Sequence, residues 1–128
     1  MSRGLLFTQP IILLILAAIH LASIEYDLYW QFLWLDLISH TLGGMWAGLC
    51  VLWVRSLLGY PPTLFWGFLG AFIIGIGWEI LEVVAGLPRE ANYTLDTSLD
   101  ILMDVLGGVV AVFIGQLFVK KSTSLSKE

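Results

Sequence analysis

Six ionisable side chains sit inside apolar sequence at spacings that put them in pairs: Asp36 and His40, Glu79 and Glu82, Asp100 and Asp104. On helices, separations of three and four residues place each pair on one face. Carboxylates from several helices joined by an inward imidazole are the general donor pattern of metal sites in helix bundles. A mixture of oxygen and nitrogen donors suits Zn, Mn or Fe, whereas Mg or Ca would use the carboxylates alone. The expected metal ligands are Asp36, His40, Glu79, Glu82, Asp100 and Asp104. The expected catalytic groups are Glu79, holding the metal with Asp100 and Asp104, His40 as ligand or general base, and Arg89 to steady an anionic head group. Plainer roles compete with these. Asp36 and His40 would also serve as an interfacial pair, Asp96 as a helix cap and Glu82 as a side chain facing water. His20 reads as a buried hydrogen-bonding residue and Trp78 as interfacial packing.

The elements that must carry these groups follow from composition. The 128-residue chain is 59% hydrophobic and only 12% charged, too apolar for an ordinary soluble domain. About twenty helical residues cross a hydrocarbon core. Four stretches qualify: 5–24, 33–58, 63–84 and 98–119. The expected fold is therefore all-α, an integral membrane four-helix bundle over residues 1–119, followed by a polar cytoplasmic tail at 120–128. Arg3 before the first apolar run and Leu21-Ala22-Ser23 at its end have the look of a signal peptide, but the run is read as a span. Cys50 is the only cysteine and reads as a small apolar filler. No nucleic-acid motif is present.

Basic residues orient the chain. With the N-terminus cytoplasmic, Arg3, Arg55, Lys120, Lys121 and Lys127 lie inside and only Arg89 outside, so both termini are expected in the cytoplasm. Every acid except Glu128 then falls in the outer half. Pro61-Pro62 is expected to open the third span, and Thr97 with Asp100 to form a capping box for the fourth.

Each of the last three spans repeats one design. Asp36 and His40 lead to Gly44, Ala47 and Gly48; Gly67, Ala71 and Gly75 lead to Glu79; Asp100 and Asp104 lead to Gly108, Ala111 and Gly115. Small residues let backbones approach where lipid removes the hydrophobic drive between helices, so these stripes mark the faces that meet. The acids share those faces. An Asp at a helix centre costs about 2.5–3.5 kcal/mol on insertion scales, and intramembrane ionisable groups are functional by default. Five carboxylates in one place cannot all remain ionised without compensation from protons, Arg89 or bound cations.

Asp36-x3-His40-x2-Gly43-Gly44, Trp78-Glu79-x2-Glu82 and Asp96-x3-Asp100-x3-Asp104-x2-Gly107 together resemble the small bacterial YjdF-like membrane family. More distantly the chain is similar to VanZ-like proteins, in which an Asp, a His, a Glu and a later Asp recur. Those would match Asp36, His40, Glu79 and Asp100. An Asn usually stands where this chain has Asp104, so the site here is more acidic. The YjdF-like resemblance implies no settled activity; the VanZ-like one implies a setting at the cell envelope.

The leading functional expectation is a metal-dependent hydrolase or transferase acting on a lipid or envelope precursor at the outer leaflet. It would sit in the bacterial cytoplasmic membrane as a multi-pass protein, with membrane lipid as its surroundings and a homo-oligomer left open. A proton- or cation-coupled transport module is the alternative, and a structural membrane subunit is the third reading.

Overall fold

The computed structural model describes residues 2–86 and 92–125. Five helices follow in order: α1 (Ser2–Glu25), the short α2 (Leu28–Gln31), α3 (Trp34–Leu57), α4 (Leu64–Ala85) and α5 (Tyr93–Leu125). No strand occurs among the described residues. Four of the helices are long and apolar enough to cross a membrane, over Arg3–Glu25, Trp34–Leu57, Leu64–Ala85 and Tyr93–Val119. Helix is the state that satisfies every backbone group internally in hydrocarbon, which is why so apolar a chain adopts it in each of its long apolar stretches.

The reversals have local causes. Between α3 and α4 the Arg55 carbonyl accepts from the N–H groups of both Leu58 and Tyr60. Gly59 takes the left-handed backbone that this closure needs, at φ 81°. Pro61 and Pro62 precede α4, whose N-cap is Thr63. Asp27 introduces α2 from the same left-handed region at φ 52°, which Asp tolerates better than most residues.

The packing is built on the small-residue stripes. Gly44 of α3 lies directly on the Asp104 backbone of α5, and Gly107 lies on the Thr41 backbone; neither position has room for a Cβ. Gly67 of α4 meets Gly108 of α5 backbone to backbone, and a Cβ on Gly48 would stand 2.9 Å from that of Ala111. Helices α3, α4 and α5 thus form a tight trio. Helix α1 packs on α3. One end touches α5, where Gly4 faces Phe118, and at the other the His20 ring reaches Trp78 of α4. Leu5, Ile12, Leu49, Leu52 and Val112 fill the core between α1 and the trio. Phe7, Leu14, Leu21, Phe65, Val84 and Leu117 are left exposed, as suits a surface solvated by lipid.

Four details depart from the sequence reading. The first loop contains α2. Helix α4 starts at Leu64, after the proline pair rather than on it. Helix α5 starts at Tyr93, so Thr97 is already inside it and forms no capping box; the Asn92 carbonyl receives the N–H groups of Leu95 and Asp96 instead. At its far end α5 continues past Val119 to Leu125. Arg89 lies outside the described residues.

Candidate metal centre

His40 is the hub. It projects from the first half of α3 toward α5, where Gly44 one turn on lets the two backbones touch. Its Nδ1 lies 3.2 Å from Asp104 Oδ2, and both side chains are buried. With Asp104 ionised its carboxylate accepts from Nδ1, and Nε2 is the nitrogen that faces the rest of the site. Nε2 looks at two more carboxylates: Asp100 Oδ1 at 3.8 Å and Asp36 Oδ1 at 3.9 Å. One ligand atom from each of Asp36, His40 and Asp100 lies within 4.8 Å of the others.

Those separations are too long for direct hydrogen bonds. They suit an atom seated between the groups. A tetrahedral metal at about 2.0–2.2 Å from imidazole and carboxylate holds its ligands roughly 3.3–3.6 Å apart, so each carboxylate would close on His40 by a few tenths of an ångström to share one. Asp100 Oδ1 is buried and has no hydrogen-bond partner. A buried carboxylate oxygen without a donor is costly, and a cation in front of it removes that cost. Asp36 forms the open side of the triad, its side chain 40% exposed against 4% for Asp100.

The other acids have separate places. Asp104 stands behind the imidazole rather than in the triad, in the position of the carboxylate that orients a metal-bound histidine. Gly75 of α4 makes room for it, since a Cβ there would collide with Asp104 Oδ2. Glu79 is buried on α4; Thr97 Oγ1 donates to its Oε2 at 2.7 Å, while Oε1 has no partner. Glu82, a turn further, accepts from Trp78 Nε1 at 2.8 Å on its own helix and is not drawn into the triad. Asp96 lies in the first turn of α5.

A second polar chain, unforeseen as a unit in the sequence, runs beside the site. His20 Nδ1 and Tyr29 Oη are 2.8 Å apart, and Tyr29 Oη lies 3.1 Å from Ser39 Oγ, the residue before His40. Ser39 in turn donates to the Leu35 carbonyl at 3.0 Å. Burial pushes the Tyr29 phenol above its ordinary value, with the charges of Asp36 and Glu82 adding to the rise against the Ser39 hydrogen bond. His20 therefore hydrogen-bonds as expected, but within this chain rather than in the triad. The signal for it was Ser39, a polar residue three positions after Asp36 in an apolar run. Cys50 likewise does more than fill space, its thiol donating to Gln9 Oε1 at 3.1 Å.

The fold and this cluster define a multi-pass membrane protein with a histidine and carboxylates gathered at one end of its bundle. The chain belongs to the DUF2238 family, described as predicted membrane proteins, whose model matches residues 2–121. No curated protein and no solved structure matches it.

Proposed function

We propose that Asp36, His40 and Asp100 hold one divalent metal ion, and that the protein uses it as a hydrolase or transferase on a lipid or envelope precursor. The observation that carries this reading is Asp100 Oδ1, a buried carboxylate oxygen with no donor. It faces an imidazole nitrogen whose sister nitrogen is already held by Asp104. A divalent charge offsets Asp36 and Asp100 together. Three protein ligands leave a coordination position open, which is the mark of catalytic rather than structural sites. A metal so held polarises a phosphoryl or carbonyl oxygen and acidifies a bound water. Glu79, with Oε1 unpartnered, is the group we assign as base, and Asp36 the side by which a substrate enters. The excess of Lys and Arg at the opposite end supports an outward-facing site and cytoplasmic termini. The motif resemblance to the YjdF-like family agrees with the family membership but supplies no activity.

A transport role would need a polar route through the rest of the bundle. Below the triad, α3, α4 and α5 meet instead through the backbones of Gly48, Gly67 and Gly108. That seam favours a one-sided site. Elemental analysis of detergent-purified protein tests the reading: one Zn, Mn or Fe per chain is expected, lost in Asp100→Asn while the melting temperature without metal is kept. Wild-type protein that takes up no metal on reconstitution would end it.

A further inference from the structure

The end of the bundle away from the acids presents a cation that no carboxylate of the described residues neutralises. Arg55 lies in the last turn of α3, and among the described residues it makes no ion pair with a carboxylate. All the described acids sit at the other end. Its Nε is buried without a hydrogen-bond partner. Two rings cover the guanidinium: Tyr60 with its centroid 5.0 Å from Cζ, and Trp66 at 4.7 Å. The left-handed turn at Gly59 brings Tyr60 back over Arg55, and Trp66 arrives on the first turn of α4.

From this we infer that Arg55, Tyr60 and Trp66 form a binding site for the phosphate of an anionic phospholipid. The rings hold the guanidinium by cation–π attraction, and its N–H fork matches phosphate oxygens. Contact with two rings removes rotamer freedom that a free Arg would lose on binding. The position is also right. The end of a spanning helix lies at the headgroup level, where Trp and Tyr concentrate and where lipid phosphates are found. Thr63, the N-cap of α4, makes no side-chain capping bond, so the N–H groups of that first turn add positive potential beside Arg55. The site is independent of the metal centre.

Native mass spectrometry of the full chain in detergent tests it, with equimolar phosphatidylglycerol and phosphatidylcholine offered together. Wild-type protein should retain phosphatidylglycerol about fivefold over phosphatidylcholine, the equivalent of one basic residue at an anionic surface. Arg55→Gln should bring the ratio to parity, and Arg55→Lys should keep part of the preference because the charge remains without the fork. Inorganic phosphate at millimolar concentration should leave the lipid bound; displacement would make this a site for a soluble anion and overturn the lipid assignment. Equal retention of the two lipids by wild type, or an undiminished preference in Arg55→Gln, would overturn the site itself. If Arg55→Gln does not fold, the wild-type ratio and Arg55→Lys decide.

Discussion

Adding one methyl group at Gly75 should damage the metal centre, while the same change at Gly77 should not. A Cβ at Gly75 would collide with Asp104 Oδ2 and stand 3.0 Å from its Cγ and 3.2 Å from its Cβ, where ordinary contact begins near 3.4 Å. Asp104 must withdraw. Its 3.2 Å contact to His40 Nδ1 has roughly 0.3 Å of slack before the hydrogen bond is lost. Gly75→Ala should therefore cost about 1–3 kcal/mol of stability through overpacking and the lost bond. Metal affinity should fall about ten- to a hundredfold, as when an orienting carboxylate behind a ligand histidine is removed. A Cβ at Gly77 meets nothing within 4 Å. Gly77→Ala should leave metal affinity unchanged and add up to about 1 kcal/mol from helix propensity. Unfolding in detergent and competition against a chelator measure the two effects. A Gly75→Ala protein with wild-type stability and affinity would refute the account of Asp104, as would equal damage at Gly77.

Other changes probe other contacts. Thr97→Ala leaves Glu79 without its donor and should destabilise by about 1–3 kcal/mol in the same unfolding assay, with Thr97→Ser restoring most of it. The raised Tyr29 phenol should titrate late in an ultraviolet phenolate titration, and that step should vanish in Tyr29→Phe. Because the folded value lies above the unfolded one, this group's contribution is full below about pH 10 and lost as pH climbs through the raised value, so Tyr29→Phe should flatten the alkaline fall in stability. Gln9→Leu removes the acceptor of the Cys50 thiol, and maleimide labelling of Cys50 in detergent should change in rate relative to wild type.

Much of this architecture was legible because lipid makes the sequence rules strict. A span must be long and apolar, and helices must meet where side chains are small. Gly44, Ala47 and Gly48, then Gly67, Ala71 and Gly75, then Gly108, Ala111 and Gly115 are buried, and His40, Glu79, Asp100 and Asp104 are buried with them. Helical spacing assigns a face but not a reach. It could not tell that Asp104 would back the imidazole from behind, or that Glu82 would turn to Trp78 on its own helix. Thr97 was misread because the start of α5 was set too late; in a helix beginning at Tyr93 the same hydroxyl points to Glu79. The contacts of α1 with Phe118 at Gly4 and with Trp78 at His20 are tertiary packing, which no periodicity encodes.

X-ray absorption at the edge of the bound metal, on the chain loaded in detergent, reads the ligands of the Asp36–His40–Asp100 triad. A first shell of nitrogen and oxygen with one imidazole is expected, with loss of the imidazole scattering in His40→Gln. A shell without imidazole in wild type, or an identical spectrum in His40→Gln, would contradict that ligand set.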